Sequence, residues 1–467
     1  MKRSLDQANS VDCPYLDTID RSVLDFDLEK VCSVTLTNIN VYCCLCCGKF
    51  FQGRGRTSPA HAHALDNCHY LYINLESGKI YSLPDGYEVH DSSLEDIQFV
   101  LRPKFTVAEV DALQNKWTPA LKRGVGDVVY TPGAVGLNLL GQGSYLNAVL
   151  QALSMITPLR SMLLLHDESL KSSMPLVTAL SNTVKRMWSP LSFHGHVSPF
   201  ELFSVITTLS NATYSPTKPV DPWTFLCWLL RTVAMELRKS AHRSMITSLF
   251  EGLINVEHCN GSDHSVSGSD VRPFKTLTLD LPSMPLFKAS SVGYRQEEAQ
   301  TLPQVPLLEL MHKFQGQVKK WTSSSSYDLY RVEKYPQYLI LHVDRFTDNN
   351  TADLLTRQVN GSVQGGGHKN NVSGAGQGAQ RGKQKQKNVT IVSFPARNLP
   401  LGPHTYDLAA NIAVGSGQSG TSWKCYIPQG SSSSQWFEME DLFQTVVMEE
   451  LVEVSESFLL IYHRRRK

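Results

Sequence analysis

The sequence predicts an α+β protein in two parts, a small metal-stapled domain followed by a larger one in which helices precede a sheet. Three observations carry that expectation. Seven of the ten cysteines (13, 32, 43, 44, 46, 47 and 68) fall in the first 68 residues. From about residue 130 onward, helical spacing of apolar residues comes first and strand-like runs come after, the order expected of an α+β domain. At 467 residues the chain is also long enough for two or three separate cores.

Composition narrows the class before any motif is read. An apolar fraction of 42% and a charged fraction of 19% are those of a globular chain. The net charge of +1 provides no global field toward nucleic acid or a membrane surface. No apolar run reaches the ~18 residues that a membrane span needs, so no membrane association is expected. "MKRSLDQANSVD" lacks the apolar core of a secretory signal, so the protein is expected to stay inside the cell. There, crowded cysteines point to metal rather than disulfides. The basic ends, "MKR" and "HRRRK", read as solvated tails. Cys227, Cys259 and Cys425 are scattered and are expected to be ordinary buried thiols.

The domain expectation is residues 12–105 for the small unit, a helical linker over 106–129 and the large unit over 130–467. In the first, "VCSVTLTNINVYCC", "HYLYINL" and "KIYSL" read as strands. Ser58 is placed as an N-cap with Pro59 in the first turn, so a helix begins there. In the second, "GSYLNAVLQALSMITPLRSMLLL" reads as one buried helix and "DPWTFLCWLLRTVAMELRKS" as another. Strands are expected at "FKTLTLDLP", "QYLILHVDRF", "NVTIVSFP", "TYDLAANIAV", "SWKCYIP" and "SFLLIYHRR". The Gly/Gln/Asn/Lys-rich tract over 349–387 has almost no apolar side chains to offset its ordering entropy and is expected to be a disordered insertion.

"CCLCCGKFFQGRGRTSPAHAHALDNCH" carries the clearest chemistry, a Cys-x2-Cys knuckle followed by histidines at zinc spacing. Two registers fit, Cys43/Cys46 and Cys44/Cys47. Gly48 favours the second, because a tight knuckle often needs a residue that tolerates positive φ. His61, His63 and His69 compete for the remaining positions. Cys44, Cys47, His63 and His69 would close a structural tetrahedron around one Zn2+ with no position left open for chemistry. Cys13, Cys32, Cys43, Cys46 and Cys68 are expected to be buried packing residues rather than a second metal site.

With those residues in view a resemblance appears. "CPYLDTIDRSVLDFDLEKVCS", "CCLCCGKFFQGRGR" and "LPDGYEVHDSSLEDIQFVLRPKF" resemble the zinc-finger domain attached to ubiquitin-specific proteases. They are most similar to the version found in the catalytically inactive branch that serves as a splicing factor of the tri-snRNP. The resemblance implies the ligand set Cys44, Cys47, His63 and His69. Some fingers of this superfamily grip the C-terminal carboxylate of ubiquitin with an arginine. Arg54, in "QGRGR", is the candidate here, for such a tail or for a phosphate.

Residues 136–151, "GLNLLGQGSYLNAVLQ", resemble the cysteine box of the same proteases, so the large unit is expected to adopt their papain-like fold. In that family the nucleophilic cysteine opens a helix, whose dipole lowers its pKa, and a preceding Asn helps hold the oxyanion. Those positions fall on Ser144 and Gln142 here. The downstream box, "TYDLAANIAVGSGQSGTSWKCYIPQG" and "QWFEMEDL", puts Ser422 at the position of the base and Glu440 at that of the orienting Asp. A serine hydroxyl needs a base more than a thiol does, and His404 and His463, the histidines near that box, read as flanking strands rather than entering the site. "EGLINVEHCNGSDHSVSGSDVRPF" offers only His258, Cys259 and His264 where active members carry paired Cys-x2-Cys zinc ligands, and is read as a polar loop.

The resemblance implies a pseudo-deubiquitinase: a non-catalytic nuclear scaffold supporting the U4/U6·U5 tri-snRNP in pre-mRNA splicing. Its partners would be tri-snRNP proteins and, through them, U4/U6 and U5 snRNA. A ubiquitin or ubiquitin-like reader is the alternative, and a residual deubiquitinase the third reading.

Overall fold

The structure is a computed structural model. It describes residues 13–465 apart from 116, 118, 171, 283–302, 324, 348–385, 416–421 and 431–433. The chain divides into two compact units. One comprises residues 1–249, 407–452 and 461–463; the other comprises 250–406, 453–460 and 464–467.

In the first unit the N-terminal finger is a four-stranded antiparallel sheet built from β1 (Val41–Cys44), β2 (Phe50–Gln52), β3 (Leu71–Asn74) and β4 (Ile80–Ser82), in the order β2-β1-β3-β4. Helix α1 (Pro59–Asn67) lies between β2 and β3; Ser58 caps it by accepting from the His61 N–H, and Pro59 sits in its first turn, as expected. The run over 31–40 is not a strand, despite its β-branched content. Val34 and Thr35 aim their N–H groups at Cys32 Sγ, both at 3.4 Å, and Leu36 turns back to Cys32 O at 3.0 Å with φ of 56°. A local turn around one sulfur overrides β-propensity there. Helices α2 (Glu95–Leu101) and α3 (Val107–Asn115) follow.

The helical part of this unit begins with α4 (Ser144–Ser154) and α5 (Thr157–Leu164), which the sequence reads as one helix. Pro158 separates them, since it lacks the N–H that an uninterrupted helix would use; Ile156, the N-cap of α5 two residues earlier, is extended with ψ of 95°. All eleven residues of α4 are buried, and each of Leu146, Val149, Leu150 and Leu153 contributes roughly 1.5–3 kcal/mol by leaving water. Helices α6 (Pro175–Met187), α7 (Phe200–Leu209) and α8 (Pro222–Glu236) complete it, with Asp221 capping α8 by accepting from the Thr224 N–H. The first two have no counterpart among the expected helices. The finger is joined to these helices by polar contacts. Asp27 takes Arg186 Nη1 at 3.0 Å and the Ser198 N–H at 2.9 Å, while His194 Nε2 lies 3.0 Å from Leu24 O. Phe193 enters the finger's own apolar core. Strand 407–414, the strand Trp423–Pro428, the strand Gln435–Glu440 and the strand Phe443–Met448 then pair successively as antiparallel neighbours.

In the second unit the strand Thr276–Asp280 runs parallel to Tyr338–Asp344. Arg345, just past that strand, is fully buried. It donates from Nε to Ser457 O at 2.6 Å and from Nη1 to Asn388 O and Thr390 O at 3.0 and 2.7 Å. Burial pulls its pKa down to about 10. The expected polar loop at 252–274 is instead a hairpin of Gly252–Asn260 with Val266–Phe274. Within it Gly252, Ile254 and Val256 face inward in a period-2 pattern, with Cys259 also buried, a pattern masked by the Ser/Asp/Gly content of the turn. The hairpin extends into a four-stranded sheet with Ser326–Lys334 and Lys320–Ser323. Most of the expected insertion lies outside the described residues; its last two, Gln386–Lys387, form a short ladder with Phe346–Thr347.

Candidate functional site: a Cys2His2 cluster and a polar cradle beside α4

The strand alternation of β1 resolves the knuckle register. Cys43 points to one face, into the core with Leu71 and Ile73, and burial pushes its thiol pKa up. Cys44 points to the other face, against Ala60, Ala64 and Tyr72. Gly48 closes the knuckle with φ of 72°, and a Cβ there would stand 2.1 Å from Val23 O, so no other residue fits without moving backbone. Ligand-type atoms of Cys44, Cys47, His63 and His69 all lie within 4.8 Å of one another. His63 Nε2 is 3.4 Å from Cys47 Sγ and 3.2 Å from His69 Nδ1. A tetrahedron with Zn–S and Zn–N bonds of ~2.3 and ~2.05 Å has S–N and N–N edges of about 3.5 and 3.3 Å, so the set fits zinc. It is the one group of three or more such side chains among the described residues.

Sequence reasoning did not name the side chains that hold this set. Asn67 Nδ2 lies 3.0 Å from His63 Nδ1, the nitrogen turned away from the cluster, and Phe51 stacks on the ring at 4.2 Å. Both orient the imidazole as outer-shell partners of a metal ligand do. Burial, then the neighbouring His69 and Lys49 charges, lower the His63 pKa and favour the neutral ring a metal requires. His61 lies outside the group. Of the remaining finger cysteines, Cys13, Cys32 and Cys43 are buried as expected, whereas Cys46 is half-buried and Cys68 exposed. Cys68 occupies the left-handed cap of α1, φ 55°, which swings His69 inward and leaves its own thiol outside. Cys227 is exposed too, while Cys259 and Cys425 are buried. His258 is paired with Asp328 at 2.7 Å and His264 with Tyr327 at 3.2 Å, so neither joins a metal group.

Arg54 is exposed, with its guanidinium 4.3 Å over the Tyr81 ring and Nη1 donating to Gly86 O at 3.3 Å. It is a positioned cation rather than a free one.

The second region lies at the start of α4. Ser144 is the first residue of that helix and is buried; Gln142, two residues before, is exposed and anchored by its N–H on Pro216 O at 2.7 Å. Helix α4 packs against the strands Trp423–Pro428 and Gln435–Glu440. Ser422 and Glu440, at the ends of those strands, converge over Gly415. A Cβ added to that glycine would stand 2.5 Å from Ser422 Oγ and 2.6 Å from Glu440 Oε1. Gly415 N–H in turn donates to Ser422 O at 2.8 Å. A carboxylate is a weak base toward a serine hydroxyl at neutral pH, and a second hydroxyl is none at all. His404 and His463 lie inside strands, the first opening His404–Val414 and the second within Ser457–Arg464.

Asn147, one turn into α4, is the residue here that sequence reasoning missed. Its Nδ2 donates to Asp441 Oδ1 at 2.7 Å and lies 3.3 Å from Asn138 O, while Asp441 O accepts from the Leu137 N–H at 2.8 Å. The only sequence signal is a polar residue on a helix whose other faces are apolar. Burial raises the Asp441 pKa, opposed by the Asn147 hydrogen bond and reinforced by Glu440.

Fold and site together define a ubiquitin-hydrolase scaffold with an attached finger, and comparison with known proteins agrees. Residues 135–462 match the model of the ubiquitin carboxyl-terminal hydrolases and residues 32–94 that of the "Zn-finger in ubiquitin-hydrolases and other protein". The chain belongs to the ubiquitin carboxyl-terminal hydrolase family. It is 34% identical over 492 residues to "Ubiquitin carboxyl-terminal hydrolase 39" of Homo sapiens, covering 97% of this chain and 80% of that one. It is 32% identical over 485 residues to "Probable mRNA-splicing protein ubp10" of Schizosaccharomyces pombe, covering 96% and 88%. Among solved structures, the crystal structure of an essential yeast splicing factor superposes with a TM-score of 0.74 at 25% identity, over 97% of this chain and all of that one.

Proposed function

We propose that the protein is a non-catalytic splicing factor: a ubiquitin-hydrolase fold kept as a rigid binding surface. It would act in the nucleus, supporting assembly or stability of the U4/U6·U5 tri-snRNP. The observation that carries this reading is the match along almost the whole chain to proteins named for pre-mRNA splicing. The cradle beside α4 supports its non-catalytic half. With Ser144 at the nucleophile position, Ser422 at that of the base and Glu440 at that of the orienter, neither of the latter two is a base suited to activating a hydroxyl.

In this reading one Zn2+ is held by Cys44, Cys47, His63 and His69 and contributes folding energy to the finger, with no part in chemistry. Arg54, poised on Tyr81, favours a second reading in which the finger also holds an anionic group such as the carboxylate tail of ubiquitin or a ubiquitin-like protein.

The test is affinity purification of the tagged full chain from nuclear extract, followed by probing for small nuclear RNAs. Joint recovery of the U4, U5 and U6 RNAs is the expected result. Recovery of ubiquitin conjugates without those RNAs would replace this reading with the ubiquitin reader.

A further inference from the structure

The strand Phe443–Met448 ends its sheet, pairing with Gln435–Glu440 on one side and with no described strand on the other. Edge strands present a row of unpaired N–H and C=O groups, and proteins blunt them with lysine, proline, bulges or short length. The longest edge among the described strands is blunted. Val266–Phe274 carries Gly268, Asp270, Arg272 and Pro273, with a register shift between Val266 and Gly268. The finger's edges, β2 and β4, are three residues each. "FQTVVM" has none of these devices: six residues, no charge, no proline and an unbroken register from Phe443 to Met448.

Four of its six side chains are apolar, and most of the strand faces water. Phe443 is 75% exposed, Val446 and Met448 are each 50% exposed, and the flanking Leu442 and Leu451 are 49% and 59% exposed. The surrounding charge has one sign. Residues 435–452 include Glu438, Glu440, Asp441, Glu449 and Glu450 and no Lys, Arg or His. Lys424, from the neighbouring strand, pairs with Glu438 at 3.1 Å, Asp441 accepts from Asn147 and Glu449 accepts from Trp436 Nε1 at 3.3 Å, so the stretch stays acidic in balance with its carboxylates partly engaged.

We propose that the edge strand Phe443–Met448 is a docking site for an extended segment of a partner protein in which apolar and basic side chains alternate, taken up as an added strand. Main-chain pairing would satisfy the open edge. Alternate apolar side chains would cover Val446 and Met448, and the basic ones would meet the acidic rim. This inference goes beyond the proposed function, since it holds for any partner of that chemistry.

The test uses the full chain and a fluorescein-labelled peptide of alternating Lys and Val, about eight residues long to match a strand, with a Glu/Val peptide as charge control. Fluorescence anisotropy should show binding of the Lys/Val peptide only, weakening as salt rises. The double variant Val446→Lys/Met448→Lys should bind at least about tenfold more weakly, and Val271→Lys, on the blunted edge, as wild type. Amide hydrogen exchange of the wild-type chain with bound peptide should slow over 443–448. Equal binding of the two peptides, wild-type affinity in the double variant, or protection confined elsewhere would overturn the proposal. So would sedimentation showing a dimer that the double variant abolishes, which would make the edge an interface between two copies of this chain.

Discussion

The finger's metal cluster and the cradle beside α4 both gather polar side chains, and they differ in what those side chains can do. In the cluster each of the four side chains offers one atom that could hold a metal, and Asn67 and Phe51 hold the orientation of His63. In the cradle Ser422 and Glu440 crowd Gly415, and in the proposed reading neither group is a base suited to activating a nucleophile. The lesson is that a fold keeps the residues that bear its stability and can exchange those that bore only chemistry. Zinc ligation is folding energy. A catalytic base commonly is not, so a serine at the proposed base position, Ser422, would leave the surrounding sheet standing.

The sharpest way to break this comparison is to remove the metal. Chelation, or Cys47→Ser, should release about one zinc per chain and unfold the finger, because the binding free energy of a structural zinc is on the order of 10 kcal/mol. Mass spectrometry for the metal and circular dichroism for the fold would check it. A finger that keeps its structure without zinc contradicts the assignment.

Next in size is the joint between the finger and the helices. Asp27→Ala leaves Arg186, mostly buried, without its carboxylate. That should cost about 3 kcal/mol and separate the melting of residues 12–105 from that of 130–467, which calorimetry would resolve. A single unchanged transition would mean that the apolar contact of Phe193 couples the two.

Within the cradle, Asn147→Leu should destabilise by about 2 kcal/mol, because the half-buried Asp441 carboxylate and the Asn138 carbonyl lose their donor. Urea denaturation would measure it.

Asp441→Asn acts more weakly and reads out through pH. The folded-state pKa of Asp441 is raised, so the native protein holds that proton longer than the unfolded chain does. The wild type therefore loses stability relative to the variant as pH rises from about 4 through the folded pKa, and the difference stays constant above it. Melting temperatures of both proteins across that range would show a gap that opens with rising pH. A gap that opens with falling pH would mean the carboxylate is stabilised by its surroundings.

Much of this was legible in the chain, and the exceptions share a cause. The Cys-x2-Cys knuckle and its histidines could be read because a metal imposes spacing, and strands such as Tyr338–Asp344 because buried runs are continuous. The four-residue β1 was overextended because the turn around Cys32 depends on N–H···S contacts that no propensity records. The hairpin at 252–274 was hidden by its polar turn and solvent-facing side chains, and the break between α4 and α5 by an apolar pattern that continued across Pro158. Asn147 was missed because its partner Asp441 stands 294 positions away. Contacts of that range are set by tertiary packing and leave no local period.

In the proposed reading the α4 region keeps the fold of a hydrolase without its chemistry. The most direct test of that claim is turnover of a ubiquitin C-terminal fluorogenic substrate by the full-length protein beside its Ser144→Ala variant. Indistinguishable signals from the two, both at the level of buffer, are the predicted result. Turnover by the wild type that Ser144→Ala abolishes would contradict the claim and make Ser144 a working nucleophile.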